Sequence, residues 1–150
     1  MDADRVNLCT SAAAGRQVAA FVRTLAERVG LPESRAYRLR LAADEIVTNI
    51  GVHGYRNRPG PVELVGGVDR DEVWLSIIDE APPFDPTTHD PRPRLAAGAD
   101  HDGEGGFGLF LALRGLDDFR YDRSGGRNEN TLIMRRPADD TAGPRRTETS

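Results

Sequence analysis

Glu45 and Asn49 are two side chains whose types and spacing could do chemistry together. They belong to the segment Asp44-Glu45-Ile46-Val47-Thr48-Asn49, and a spacing of four places both on one side of a helix. An amide oxygen can ligate Mg²⁺, and a carboxylate can accept a proton from an attacking hydroxyl. A metal ligand beside a potential base is an arrangement typical of a nucleotide site.

Two features further along the chain suit the other parts of a nucleotide. Asp79 continues the alternation of Val73, Leu75 and Ile77, so its carboxylate is predicted to face the apolar side of a strand, where it could accept from an amine such as that of adenine. The run Gly105-Gly106-Phe107-Gly108 opens a short helix, and a glycine-rich helix start offers N–H groups to phosphate oxygens.

Each of these features also has an ordinary structural interpretation when it is taken alone. Asn49 could bond a nearby backbone group, Glu45 could be a solvated helix residue, Asp79 could cap a turn, and a glycine run could be a flexible loop. His53 continues around the same helix and is given no role. The residues alone leave both interpretations open.

Composition excludes several classes of function. The chain has 150 residues and 16.4 kDa, which fits one domain. Its 20 basic and 24 acidic residues provide no concentrated positive field, so we expect no nucleic-acid partner. Every basic residue is arginine, which excludes lysine Schiff bases and the phosphate-loop lysine.

Cysteine usage and hydropathy give the expected compartment. The single Cys9 has no partner for an internal disulfide and is interpreted as a small hydrophobic residue of a strand. The N-terminus lacks a basic region followed by an apolar run, and no stretch approaches the roughly 20 apolar residues of a membrane span. We therefore expect a cytoplasmic protein with no membrane contact.

Periodicity predicts an alternation of strands and helices. A short strand over 5–10 precedes a helix that Thr10 or Ser11 caps and that stops at Gly30. Pro32 opens a second helix with an apolar stripe, and 61–69 and 73–78 form an antiparallel hairpin. A short helix over 109–116 and two strands, 118–123 and 130–136, follow a proline-rich loop over 81–101. We predict one domain over 1–137 and a disordered polar tail over 138–150.

The order of these motifs resembles the GHKL (histidine kinase/Hsp90-like) ATP-binding superfamily, and within it the small anti-sigma regulatory serine/threonine kinases of bacteria. Residues 43–49 with His53-Gly54-Tyr55 are similar to its N box, and 79–86 to its adenine box with a Pro-Phe-Asp-Pro extension. Residues 105–111 are similar to its phosphate box, and 130–134 to its closing strand. The resemblance covers roughly 8–137, and four motifs in order are far more specific than any one.

The resemblance implies a fold and a set of site residues. The fold is α/β: a two-layer α/β sandwich of the Bergerat type, with a mixed, mostly antiparallel sheet and helices on one face. Glu45 is implied as the general base, Asn49 as the ligand of ATP-bound Mg²⁺, and Asp79 as the adenine acceptor. The remaining ATP-binding residues implied are Ala81, Gly105, Gly106, Gly108 and Thr131, with Ala81 standing where the family has a glycine.

The resemblance also implies partners and an activity. The family uses ATP and Mg²⁺ to phosphorylate a serine or threonine of an anti-anti-sigma antagonist of the STAS type, and many members sequester a sigma factor. A homodimer and a mobile lid, formed by the proline-rich loop, are expected with it. A nucleotide-gated module that binds a protein partner without phosphoryl transfer needs the same pocket, so the sequence does not separate the two. A third interpretation is an α/β domain with no ligand.

Overall fold

The structure of the protein, a computed structural model, describes residues 3–88 and 107–136. The predicted lid loop extends beyond the first range, and residues 89–101 of it lie outside the described part of the chain. The predicted tail over 138–150 lies outside it as well.

Five strands form one sheet in the described ranges. They are β1 (Asp4–Cys9), β2 (Pro61–Asp69), β3 (Glu72–Asp79), β4 (Asp118–Ser124) and β5 (Arg127–Arg135). Their order is β1-β2-β3-β5-β4, and every described pair of neighbours is antiparallel. This confirms the mostly antiparallel sheet, and none of the described pairs is parallel. The predicted hairpin of β2 and β3 is confirmed. The two further predicted strands, β4 and β5, pair antiparallel, and Gly125 and Gly126 connect them with φ values of 59° and 77°.

Three α-helices are described: α1 (Ala14–Val29), α2 (Glu33–Asn49) and α3 (Phe107–Arg114). As predicted, α1 ends at Gly30, which has a φ of 72° and donates its N–H to the Ala26 carbonyl. Pro32 precedes α2 in an extended conformation, also as predicted. Among the described helices, none is long and apolar enough for a bilayer crossing.

The predicted cap of α1 is only partly confirmed. The residue at the cap position is Ala13, which has no capping side chain, but the Ser11 hydroxyl accepts from the Ala13 N–H at 3.3 Å just before the helix. The Thr10 hydroxyl instead accepts from the Gly60 N–H at 2.9 Å, and so it ties the end of β1 to the loop before β2. A hydroxyl near a helix start is thus used for a long-range contact rather than a local one.

The core lies between the helices and one face of the sheet. The fully buried apolar side chains of that face lie on β2, β3 and β5, and they pack against those of α1 and α2 to form a two-layer α/β sandwich: Leu64, Leu75, Ile77, Leu132 and Met134 against Val18, Leu25, Leu39 and Ile46. Cys9 ends β1, so its place in a strand is confirmed. It follows the buried Leu8 in the alternation and is exposed, so it does not pack as a hydrophobic residue.

Candidate nucleotide site

A cavity of ≈170 Å³ lies where α2, β3, β5 and α3 meet. It is smaller than the roughly 300–1,000 Å³ of a pocket for a whole drug-sized ligand, so it suits one part of a nucleotide. Its wall combines side chains from all four elements and from the segments that follow α2 and β3: Ile46, Asn49, Ile50, His53, Gly54, Asp79, Ala81, Pro82, Pro83, Phe84, Pro86, Leu109, Asn128 and Asn130.

Asp79 lies at the end of β3 and is buried on the core side of the sheet, as the alternation predicted. Its Oδ1 accepts from the Asn128 amide at 2.9 Å and from the Ala81 N–H at 2.8 Å. Its Oδ2 accepts no hydrogen bond within the described part of the chain. The protein therefore bonds Oδ1, and Oδ2 remains able to accept a hydrogen bond from a ligand.

Burial raises the pKa of Asp79 above its ordinary value of 3.8. The hydrogen bonds from Asn128 and Ala81 and the charge of Arg123 act in the opposite direction, and they lower the pKa in part. A donor on a bound ligand would add a further bond to the ionised form. Burial thus outweighs the groups that favour the ionised form, and each donor to the carboxylate reduces the upward shift of the pKa.

Asn128 is the centre of a hydrogen-bonding network at this end of the cavity. It faces Asp79 directly across the β3–β5 pair, and its amide also lies 3.1 Å from the Ala81 carbonyl. The Tyr121 hydroxyl donates to the Asn128 Oδ1 atom, which fixes the orientation of the amide. Arg123 donates to the Ala81 carbonyl at 2.7 Å. Side chains of two strands, β4 and β5, therefore hold the Asp79 carboxylate and the backbone that follows it.

Ala81 is accommodated because Gly54 faces it. A Cβ added at Gly54 would lie 2.8 Å from the Ala81 Cβ, a separation that real side chains do not reach. The space between residues 54 and 81 holds one methyl group, and that methyl group is the side chain of the buried Ala81. Ala81 thus fits where the resembling family has glycine.

The segment after α2 forms a single π-helical turn, Ile50–Gly54, next to the cavity. The following Tyr55 fixes the segment, because its hydroxyl donates to the Pro61 carbonyl at 2.7 Å and accepts from the Glu80 N–H at 2.8 Å. Burial raises the pKa of Tyr55 above its ordinary value, which favours the protonated donor. This tyrosine links the end of α2 to the exit of β3.

Asn49 and Glu45 lie on α2, and both are half-buried. Asn49 lines the cavity, and its side chain makes no hydrogen bond to the residues that the structure describes. Glu45 lies one turn earlier, against Gly108 at the start of α3. Burial, and next the charge of Asp44, raise the pKa of Glu45 above its ordinary value of 4.5.

The glycine run is described only in part. Gly108 lies in the first turn of α3, and Gly105 and Gly106 lie outside the described residues. No group of three or more His, Cys, Asp or Glu side chains is placed to hold a metal ion within residues 3–88 and 107–136. A magnesium site here would therefore depend on Asn49 together with phosphate oxygens and water.

Thr131, which the resemblance implied as an ATP-binding residue, is not among the residues that line the cavity. Thr131 pairs with Ser76 on the sheet face opposite the cavity, and the two hydroxyl oxygens are 3.0 Å apart. The neighbouring Asn130 faces the cavity instead, with 2 % of its surface exposed. Its Oδ1 atom has no hydrogen-bond partner in the described structure, so it is a buried acceptor in the wall of the cavity that Asp79 also lines.

Sequence reasoning missed Asn128 and Asn130, although a signal for both was available. Leu132 and Met134 are the apolar residues of the closing strand, and side chains alternate between the two faces. Counting back by two from Leu132 places Asn130 and then Asn128 on the core face. The same count places Thr131 on the other face.

This geometry defines a class of protein: a two-layer α/β sandwich with a nucleotide-type cavity between its helices and the ends of its strands. A family profile described as a histidine kinase-like ATPase domain matches residues 10–136. The chain belongs to this family, which is the GHKL superfamily that the motifs resemble. Membership implies an ATP-binding site.

A solved structure with the same fold is the crystal structure of the RsbU and RsbW domains of Rv1364c from Mycobacterium tuberculosis. It superimposes with a TM-score of 0.62 and 20% sequence identity over 92% of this chain. The chain spans 34% of that longer protein, and the likeness supports the fold. No curated protein matches the sequence.

Proposed function

We propose that the chain is an anti-sigma regulatory kinase. It binds Mg-ATP and transfers the γ-phosphoryl group to a serine or threonine of a STAS-type anti-anti-sigma protein. When it is not phosphorylating that antagonist, it sequesters a sigma factor as a homodimer. The observation that supports this most directly is one cavity in which Asp79 offers an open carboxylate oxygen and Asn49 an unbonded amide. The solved structure with the same fold includes an RsbW domain, which agrees with this class.

In this proposal the base of ATP lies at the strand end of the cavity. The adenine amine donates to Asp79 Oδ2, the oxygen that the described residues leave without a hydrogen bond. Asn130 Oδ1 is a second acceptor within the same wall. Adenine presents an exocyclic N–H₂ group, so a cavity with two buried acceptors suits it.

The triphosphate then extends toward α2 and the start of α3. Asn49 would supply one oxygen to Mg²⁺, and Gly105, Gly106 and Gly108 are proposed to surround the phosphates. Mg²⁺ would neutralise charge on the phosphate oxygens, which is the main requirement of phosphoryl transfer. The donor chemistry fits, because Mg²⁺ typically uses one or two protein oxygens with phosphates and water.

Glu45 accepts the proton of the attacking hydroxyl. Its raised pKa makes it a stronger base than an ordinary glutamate once it is ionised. It is also half-buried beside α3, where a carboxylate is less strongly solvated. Asn49 binds and orients the metal-bound phosphates, while Glu45 moves the proton.

Labelled ATP separates this kinase from a module that only binds. The chain would be incubated with Mg²⁺, γ-labelled ATP and, one at a time, the STAS-domain proteins encoded by the source organism. We expect label on a serine or threonine of one of them. Stable complexes without label would select the nucleotide-gated binding module. No thermal shift with Mg-ATP would refute the nucleotide site itself.

Thr131→Ala is a matched control for the site, because Thr131 lies next to Asn130 in sequence and on the opposite face of the sheet. We expect this variant to bind Mg-ATP and label the antagonist as the natural sequence does.

A further inference from the structure

Gly108, the second residue of α3, lies directly against the carboxylate of Glu45. A methyl group at Gly108 would lie 3.0 Å from Glu45 Oε1 and 3.1 Å from Oε2. Both separations are tighter than ordinary van der Waals contact, and both oxygens are approached about equally. The Glu45 carboxylate therefore occupies space that exists because residue 108 has no side chain.

We propose that Gly108 is a positioning residue that sets the Glu45 carboxylate for proton acceptance, an inference that rests on the proposed phosphoryl transfer. Family resemblance assigns this glycine to the phosphates. The contact gives it a second role, toward the base. It also joins the start of α3, where phosphate would bind, to the proton acceptor on α2.

Replacing Gly108 by alanine tests this role without threatening the fold. The atoms that a new methyl group would meet are the end of a flexible glutamate side chain, which can move by a few tenths of an ångström. Alanine also favours a helix more than glycine does. A small displacement of a reacting group is costly for rate, because transfer depends on alignment. The variant should thus be stable and slow.

Gly15 provides a matched control, since it is the second residue of α1 and also faces a carboxylate of α2. A methyl group at Gly15 would lie 3.4 Å from Asp44 Oδ1, which is an ordinary contact. Both glycines are exposed and both would gain the same methyl group. Gly15→Ala should therefore change neither Mg-ATP binding nor transfer.

The first measurement compares Mg-ATP affinity with transfer to the antagonist labelled in the experiment above. For Gly108→Ala we expect kcat to fall about tenfold, a larger change than any rise in the Kd for Mg-ATP that its place among the phosphates produces. A raised Kd with an unchanged kcat would overturn the inference, because it would mean that Gly108 acts on the phosphates alone.

A double-mutant cycle with Glu45→Asp identifies the residue through which Gly108 acts. Aspartate is one methylene shorter, so its carboxylate is withdrawn from residue 108. Glu45→Asp should have a lower kcat than the natural sequence. The double variant with Gly108→Ala should have the same kcat as Glu45→Asp alone. An equal loss in both backgrounds would show that Gly108 does not act through Glu45.

A third readout needs no activity. The ¹³C resonance of the Glu45 carboxyl carbon, assigned through Glu45→Asp, should shift in Gly108→Ala and stay unchanged in Gly15→Ala. An unchanged resonance in Gly108→Ala would refute the contact. If the natural chain binds Mg-ATP and labels no antagonist, the proposed kinase function fails, and the resonance alone then decides whether Gly108 positions Glu45.

Discussion

The two ends of the nucleotide site are built differently. At the strand end, Asp79, Ala81 and Asn128 are buried and joined by hydrogen bonds to one another and to Arg123. At the helix end, Asn49 and Glu45 are half-buried, and Asn49 makes no side-chain bond to the described residues. The first end is formed by the paired strands β3 and β5, and the second by the contact between α2 and α3.

This difference indicates how the two ends would share the work. A preformed network positions a base without reorganisation, whereas side chains with unused bonding capacity gain theirs from the ligand. Mutations of the hydrogen-bonded network at the strand end should therefore cost stability as well as affinity. Mutations at the helix end should cost binding or rate and leave the fold intact.

Asn49→Ala is expected to have the largest effect on nucleotide binding. It removes the one protein oxygen proposed for Mg²⁺, and even the loss of an outer partner of a metal ligand costs about 10–100-fold in metal affinity. We expect Mg-ATP binding to fall by more than about 100-fold in calorimetry, with an unchanged unfolding midpoint. Thr48→Ala, the exposed neighbour on α2, is the control. Equal nucleotide affinity in Asn49→Ala and the natural chain would contradict the assignment.

Glu45→Gln should separate rate from binding at the same end. Loss of a general base typically lowers the rate by about 10²–10⁴-fold, and the isosteric amide should leave the Kd for Mg-ATP close to its natural value. A loss of affinity matching the loss of rate would instead place Glu45 among the binding groups.

The pH profile sharpens the same prediction. The base must be ionised, so kcat/KM should rise with pH through the pKa of Glu45 in the free protein. Because burial raises that pKa, the midpoint should lie above 4.5, and this acidic limb should vanish in Glu45→Gln. A midpoint at or below 4.5 would show that the limb belongs to another group.

The helix end was easier to predict from sequence than the strand end. Glu45 and Asn49 lie on one regular helix, so a spacing of four fixed their common side. The Asn128 amide that bonds to Asp79 comes from β5, in the part of the strand that precedes Asn130. The pattern predicts a closing strand that begins at Asn130, whereas the strand begins at Arg127, and Thr131 was implied by the resemblance and not by the pattern.

Contacts between distant segments had no sequence signal. The bond from Arg123 to the Ala81 carbonyl and the packing of Gly54 against Ala81 join residues that are far apart in the chain. The use of Thr10 in a loop contact rather than a helix cap is of the same kind. Such contacts follow from the assembled tertiary structure, which local propensity does not contain.

Asn128→Ala tests whether the strand end is a structural network. It removes donors to Asp79 and to the Ala81 carbonyl and the acceptor of the Tyr121 hydroxyl, all in a buried setting. We expect the free energy of unfolding in urea to fall by about 1–3 kcal/mol, together with weaker Mg-ATP binding. Arg120→Ala, which removes an exposed ion pair on the neighbouring strand, should stay within about 0.5 kcal/mol. Natural stability in Asn128→Ala would show that the network is not cooperative.

Asn130→Ala is expected to have the smallest effect: it should weaken ATP binding slightly without lowering the free energy of unfolding. Its buried Oδ1 lacks a partner in the described structure, so truncation removes an unpaired acceptor and should not lower stability as Asn128→Ala does. If that acceptor serves the base, ATP binding should weaken by roughly 0.5–1.5 kcal/mol, or about 2–12-fold. The affinity of a triphosphate of purine riboside, which lacks the 6-amino group, should change little, and Thr131→Ala should affect neither ligand. An equal loss for both ligands would mean that Asn130 shapes the cavity wall and leaves the exocyclic amine to Asp79 alone.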